Sequence, residues 1–122
     1  MTFKRRMNMP YLKIETNSAL SPGEKLYFLK KASLFLSKML NKPEKVILVS
    51  LYDSVPMIFA GNTDPGAYLI LKSIGLTKDK CPELSSALCE LLQSELGILP
   101  ERVYIDFNDI NGKMFGWNKT TF

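Results

Sequence analysis

The sequence repeats itself, and the two copies lie 57 residues apart, as from Tyr11 to Tyr68. Residues 11–14 read YLKI and residues 68–71 read YLIL, while residues 43–46 read PEKV and residues 100–103 read PERV. A helical stretch with one apolar side separates the two strand-like segments of each half. A repeat of this length is typical of a duplicated structural unit. Each half is therefore predicted to form a strand, a helix and a second strand.

The first helix has a distinct beginning and end. Ser21 suits the N-cap, Pro22 suits the first helical position, and Glu24 completes a capping box three residues after Ser21. Asn41 tolerates the left-handed C-cap conformation, and Pro43 prevents the helix from resuming. The helix is therefore predicted to lie between Ser21 and Asn41.

The remaining elements follow from apolar periodicity and turn residues. They are strands at residues 11–16, 46–52, 67–73 and 103–107, a short extra strand at 57–59, a second helix from about 81 to its C-cap Gly97, and a short strand within 113–122. Right-handed crossovers would place both helices on one face of a four-stranded mixed sheet. The predicted fold class is α/β (α+β).

The other face of this sheet is predicted to be apolar and therefore to pack against another surface. Residues 46–52 are almost continuously apolar, as in a strand buried on both faces, and the alternate residues of 103–107 are also largely apolar. A lone subunit is not expected to leave such a surface in water. Copies packed around a symmetry axis would cover it and the sheet edges. The pattern predicts an oligomer without giving its number of subunits.

Composition excludes several classes of protein. The chain has 122 residues, enough for one domain, and it contains no histidine, which removes histidine metal sites and serine triads. Two cysteines are too few for a disulfide framework, so a reduced cytoplasmic location is the default. No apolar run approaches the ~18–20 residues that cross a bilayer, and the basic tail lacks a signal-peptide core. No membrane partner is expected.

Several short motifs resemble the macrophage migration inhibitory factor (MIF) family, and together, in order and at the right spacing, they are specific. They are Met9-Pro10, Asn41-Lys42-Pro43, Val55-Pro56-Met57 with Phe59, TDP at 63–65, KSIG at 72–75, PERVYI at 100–105 and GWNKTTF at 116–122. The resemblance defines a domain at residues 10–122 after a tail at residues 1–9. The family belongs to the tautomerase superfamily, so the resemblance implies a homotrimer with sheets around the central axis and active sites between subunits.

The resemblance also implies an isomerase, a keto–enol tautomerase of the phenylpyruvate tautomerase or dopachrome isomerase type, without metal or organic cofactor. Its general base would be a free N-terminal proline, Pro10. An α-amino group has a pKa of about 7.7–8.0, which an apolar site or a nearby cation lowers toward neutrality. Here Pro10 follows nine residues, so its nitrogen is an amide. Translation from Met9 and removal of that methionine, or equivalent trimming, is part of the hypothesis.

The same resemblance implies how a small 2-oxo acid or its enol would be bound. Lys42 and the backbone N–H of Ile74, with Ser73 beside it, would hold the carboxylate. The other predicted members of the site are Tyr104 from a neighbouring subunit, Asp106 two residues after it, and an aromatic wall of Tyr11, Phe115 and Trp117. Each also has an ordinary interpretation: Lys42 as a cation favoured near a helix C-terminus, the others as packing residues. The repeat places Leu99 at the counterpart of Lys42, so the duplicated scaffold does not itself require a cation there.

Two departures from the family pattern affect chemistry. Asp106 stands where many members have asparagine; when ionised it only accepts hydrogen bonds, and near Pro10 it would favour the protonated amine. Substrate preference and rate are therefore expected to differ. The pair of cysteines that some members carry is replaced by residues 66–69, so thiol–disulfide activity is not expected.

Two other functional classes stay open. One is a non-catalytic MIF-like binding or cytokine-type signalling protein, with leaderless secretion and a receptor partner that the sequence does not identify. The other is an RNA-binding module, since two strand–helix–strand units also suit a ferredoxin-like fold. The net charge of +4 includes Lys4, Arg5 and Arg6 of the tail, and the closing strand lacks the base-stacking signature. No nucleic-acid partner is expected.

Overall fold

Both predicted strand–helix–strand units are present in the structure, a computed structural model that describes residues 9–122. The first consists of β1 (Tyr11–Thr16), α1 (Pro22–Leu40) and β2 (Leu48–Tyr52), and the second of β3 (Ala67–Ile74), α2 (Cys81–Leu96) and β4 (Val103–Ile110). A short hairpin of β5 (Gly116–Trp117) and β6 (Thr120–Thr121) confirms a strand in the aromatic C-terminal tail. Single 3₁₀ turns lie at Glu44–Val46, Lys78–Lys80, Pro100–Arg102 and Gly112–Met114.

The four long strands form one mixed sheet in the order β2-β1-β3-β4. The two strands of each unit run parallel, as a right-handed crossover requires, and β1 and β3 join the units antiparallel, with Tyr11 opposite Lys72. The duplication predicted from the sequence is therefore the organising feature of the fold.

Alternate strand residues build one core beneath both helices. Leu12, Ile14, Leu69 and Leu71 of the central strands are completely buried. They join one cluster with Phe28, Ala32 and Leu36 of α1 and Leu84, Leu88, Leu91 and Leu92 of α2. The placement of both helices on one sheet face is confirmed. None of the helices within residues 9–122 is long and apolar enough to cross a membrane.

The predicted caps of α1 are present. The Glu24 N–H donates to Ser21 Oγ at 3.1 Å, and the Ser21 N–H donates to Glu24 Oε1 at 2.8 Å, which is a complete capping box. Asn41 ends the helix in the left-handed conformation with φ 53°, and Gly97 ends α2 with φ 69°. These two caps fix where the chain leaves each helix.

The sheet face away from the helices, called the outer face below, is more polar than predicted. Lys13 and Glu15 of β1 lie there and form an ion pair with Nζ and Oε2 3.5 Å apart, and Asp106 of β4 is exposed there. Leu48 and Tyr52 of β2 are 60% and 49% exposed, so the prediction of a strand buried on both faces is wrong for the single chain. The error arose because the apolar run includes a 3₁₀ turn and only five residues of strand.

The extra strand predicted at residues 57–59 is also wrong. The segment forms only an isolated bridge between Phe59 and Asn62. Its conformation is fixed instead by Arg102, whose guanidinium donates hydrogen bonds to the carbonyls of Phe59, Asp64 and Pro65. A loop held by side-chain donors needs no strand partner, and apolar periodicity alone does not distinguish the two cases.

Asp53 makes the stability of the fold depend on pH. The pKa of its carboxyl is lowered from 3.8 to about 2, first by the backbone N–H of Leu20 and then by Lys25. Because the folded pKa is below the ordinary value, the ionised carboxylate stabilises the fold above pH 3.8, and this contribution is lost as pH falls through about 2. We expect Asp53→Asn to lower the urea midpoint at pH 7 and to match the wild type near pH 2. A midpoint difference that is the same at both pH values would contradict this role.

Candidate active site

A cavity of about 250 Å³ lies where α1 ends, α2 begins and β3 ends. We call it the helix-end cavity; it is lined by residues 39–42 and 73–77 and by Lys80, Glu83 and Leu84. Lys42, Ser73 and Ile74, which the sequence places in two separate motifs, therefore share one small space. Their proximity is an observation; their role in binding stays a prediction.

The C-cap of α1 positions Lys42. With Asn41 in the left-handed conformation, the Lys42 N–H donates to the Ser37 carbonyl at 3.0 Å, and the lysine leaves the helix beside β3. In the second unit the same cap is Gly97, which lies 56 residues after Asn41. The counterpart of Lys42 is therefore Ile98, not the predicted Leu99.

The repeat slips by one residue because its two prolines occupy different positions. Pro43 is the N-cap of its 3₁₀ turn, whereas Pro100 is the first residue of the equivalent turn. Ile98 is completely buried in the core, so the corrected counterpart of Lys42 is an apolar residue. The duplicated scaffold places no cation at this point in its second copy, which favours a functional explanation for Lys42.

Pro10 lies beside the helix-end cavity rather than on its lining. Its side chain is fully buried, and its carbonyl accepts a hydrogen bond from the Leu48 N–H at 3.1 Å. Because Tyr11 pairs with Lys72 in antiparallel register, Pro10 comes opposite Ser73, which lines the cavity and is 7% exposed. Sheet pairing thus brings Pro10 to the end of the sheet at which Lys42 and Ile74 lie.

The C-terminal aromatic residues lie at this end of the sheet as well. The Phe122 ring is 6.0 Å from that of Phe115 and 5.7 Å from that of Trp117. Gly112 lies between this cluster and β3, since a Cβ at Gly112 would be 3.2 Å from Phe122 Cβ and 3.6 Å from Ile74 Cδ1. Phe115 and Trp117 are therefore neighbours of the cavity region although neither lines the cavity.

Tyr104 lies at the opposite end of β3 and β4. Tyr104 pairs with Tyr68, which lies six residues before Ile74 on β3. At about 3.3 Å per residue, Tyr104 is therefore roughly 20 Å along the strand from Ile74. Tyr104 is 67% exposed, and its ring is 4.9 Å from that of Phe59. It lines a second cavity of about 440 Å³, formed by residues 55–60 together with Glu15, Ala67, Tyr68 and Tyr104. Within one chain, Tyr104 and Lys42 belong to different sites.

Asp106 and Tyr11 also lie on the outer face. The Tyr68 hydroxyl donates to Asp106 Oδ2 at 3.2 Å, and burial together with the Asp106 charge raises the pKa of Tyr68. The Tyr11 hydroxyl shares a 2.7 Å hydrogen bond with Ser50 Oγ. Neither side chain reaches the helix-end cavity of its own chain, so both would join it only if another copy supplied them.

Three polar lining residues appear in none of the motifs that the sequence suggested. Thr77, Lys80 and Glu83 lie in the loop after β3 and in the first turn of α2. A lysine in a polar loop has no periodic pattern, and only its position shortly after the KSIG motif could have drawn attention to it.

The comparisons with known proteins agree on one family. The profile of the family described as "Macrophage migration inhibitory factor (MIF)" matches residues 9–122. A Brugia malayi protein named "Macrophage migration inhibitory factor homolog" is 38% identical over 118 residues, which cover 93% of this chain and 99% of that protein. The chain belongs to the macrophage migration inhibitory factor family. Macrophage migration inhibitory factor from Rattus norvegicus is 38% identical over 96 residues, which cover 78% of this chain and 84% of that protein.

Solved structures of MIF proteins share the fold. The homologue from Prochlorococcus marinus has a TM-score of 0.85 and 36% identity, and the alignment covers 92% of this chain and 98% of that one. The protein from Trichinella spiralis has a TM-score of 0.84 and 32% identity, with 92% and 99% covered. The resemblance of the motifs to the MIF family is therefore confirmed, and the family is one known for tautomerase activity.

Proposed function

We propose that this chain, once Pro10 is its first residue, is a keto–enol tautomerase for small 2-oxo acids, of the phenylpyruvate tautomerase type. The observation that carries the proposal is the meeting of Pro10, Lys42 and Ile74 at one end of the sheet, beside a cavity sized for a small molecule. Family membership supports the reaction class. The decisive experiment is turnover of phenylpyruvate by a chain that begins at Pro10.

The chemistry needs a base that is largely uncharged near neutral pH. A free Pro10 is a secondary amine, and burial of its ring disfavours the protonated form. The amine removes a proton from the carbon next to the ketone, the carbonyl becomes an enolate, and a proton is then placed on the enolate oxygen. The reverse sequence returns the proton to carbon. A positioned base contributes typically about 10²–10⁴-fold to such a reaction.

Lys42 and Ile74 would hold the substrate for this step. The Lys42 ammonium is a charged donor for a carboxylate, and the Ile74 N–H is a neutral one. Ser73 lies between Pro10 and the cavity, so a carboxylate held by Lys42 would keep the neighbouring ketone close to the Pro10 nitrogen. Binding of this kind fixes the orientation of the substrate, which is itself a large part of catalysis.

We further propose that the active protein is a homotrimer whose sites lie between subunits. The exposed Tyr104, with Asp106 on the same face, lies about 20 Å from Ile74 in its own chain and would complete the site of a neighbour. Sedimentation equilibrium of the 122-residue chain is expected to give three times its mass of 13.8 kDa, and the chain that begins at Pro10 is expected to give three times its own smaller mass. A monomer at assay concentration with full activity would contradict the shared site.

A second candidate is a non-catalytic MIF-like binding or cytokine-type signalling protein. It is favoured by the nine residues that precede Pro10, because an acylated proline nitrogen has no basic lone pair. A chain that keeps these residues would retain the fold seen from Met9 onward without the base.

A further inference from the structure

We propose that the substrate of this tautomerase carries a second carboxylate, and that Lys80 binds it. The substrate class would be a 2-oxo dicarboxylic acid of four or five carbons. The inference rests on the proposed function, since it assigns one carboxylate to Lys42, and it adds a selectivity residue that the family resemblance does not supply.

The first observation is that two cations from different elements line one small cavity. Lys42 follows the C-terminus of α1, whereas Lys80 is the N-cap residue of α2. The duplicated fold brings these two helix ends to the same end of the sheet. A ligand in the helix-end cavity would therefore contact two lysines that are far apart in sequence.

The second observation is size. A cavity of about 250 Å³ is roughly 8 Å across if taken as a sphere, which is below the usual range for drug-sized ligands. The carboxyl carbons of a five-carbon diacid are about 5 Å apart with C–C bonds of about 1.5 Å. With its two carboxylates included, such an acid has a length that fits the cavity.

The third observation is the character of the lining. Its polar side chains include Ser73, Thr77, Lys80 and Glu83, and no phenylalanine, tyrosine or tryptophan lines it among residues 9–122. A phenyl ring would have to leave the cavity for the cluster around Phe122, whereas a short carboxylate arm suits a lining that includes these polar side chains.

Two acidic residues lie near Lys80. Asp79 is adjacent in sequence, and its pKa is lowered first by a hydrogen bond from the Thr77 hydroxyl and to a lesser extent by the charge of Lys80. Glu83 lines the cavity in the first turn of α2, where the helix N-terminus favours a carboxylate. Glu83 therefore opposes a second substrate carboxylate, so removal of its charge should strengthen diacid binding.

The test compares two acids on variants of the full chain and of the chain that begins at Pro10. Calorimetric titration with 2-oxoglutarate and with phenylpyruvate gives the affinity without requiring turnover. Lys80→Met is expected to weaken 2-oxoglutarate binding about tenfold, the loss of one charge-assisted hydrogen bond, and to leave phenylpyruvate binding unchanged. Glu83→Gln is expected to tighten 2-oxoglutarate binding only.

Matched controls separate this inference from the proposed function. Lys78→Met changes a lysine of the same 3₁₀ turn that does not line the cavity, and it should alter neither affinity. Lys42→Met should weaken the binding of both acids. Unchanged affinities in Lys42→Met would contradict the proposed carboxylate site. If Lys42→Met behaves as expected while Lys80→Met affects both acids equally or neither, or if no form of the chain binds 2-oxoglutarate, the second-carboxylate inference is wrong.

Discussion

A chain that begins at Pro10 is expected to interconvert the keto and enol forms of phenylpyruvate, and the 122-residue chain is expected not to. The two proteins share residues 10–122, which hold every helix and strand that the structure describes, so their circular dichroism spectra should be closely similar. They differ in one functional group, a free secondary amine against an amide. The absorbance of the enol should therefore decay faster with the shorter chain by about 10²–10⁴-fold, the usual contribution of a positioned base.

Two controls make the comparison specific to the Pro10 nitrogen. One extra alanine placed before Pro10 restores the amide with almost no added bulk, and it should abolish turnover as completely as residues 1–9 do. Pro10→Gly at the first position keeps an amine but loses the fully buried ring, so it should be strongly impaired. Equal activity in the 122-residue chain would exclude Pro10 as the base. No turnover from a correctly folded chain beginning at Pro10 would favour the binding-protein alternative.

The fold was predictable because the repeat and the caps are local signals. Ser21, Glu24 and Asn41 specify the ends of α1 through groups within a few residues of one another, so they can be identified without knowledge of tertiary contacts. The parallel pairing within each unit then follows from chain connectivity. The conformation of residues 57–59 was not predictable, because it depends on Arg102, which is more than 40 residues away.

The candidate site was predictable only where a motif and a cap coincide. Lys42 is fixed by the C-cap of α1, and Ile74 ends a strand whose register the repeat specifies. The exposure of β2 on the outer face was not predictable from its apolar run, because that run includes a 3₁₀ turn and only five residues of strand. Lys80 was missed for another reason: it meets Lys42 only through packing between the two units.

Arg102→Met is expected to destabilise the fold by about 3 kcal/mol or more, since hydrogen bonds to a charged group contribute about 1.5–3 kcal/mol each. Arg102 is 8% exposed. Its Nε donates to the Pro65 carbonyl at 2.8 Å, and its two terminal nitrogens donate to the backbone carbonyls of Asp64 at 2.8 Å and Phe59 at 3.1 Å. Its guanidinium also lies 5.0 Å from the centroid of the Phe59 ring. Methionine fills a similar volume but leaves three carbonyls without these donors. The urea midpoint measures the loss.

Arg102→Lys distinguishes the geometry of the guanidinium from its charge. A lysine keeps the positive charge, but a single ammonium cannot place donors at three carbonyls in the planar arrangement that arginine provides. Most of the stabilisation that Arg102 contributes should therefore still be lost. Lys45→Met, which removes a positive charge from an exposed residue, should cost far less. Because the loop held by Arg102 carries Phe59, whose ring lies against Tyr104, the lysine variant should also impair turnover at neutral pH while it is still folded. Full activity and an unchanged midpoint in Arg102→Lys would show that the charge alone positions the loop.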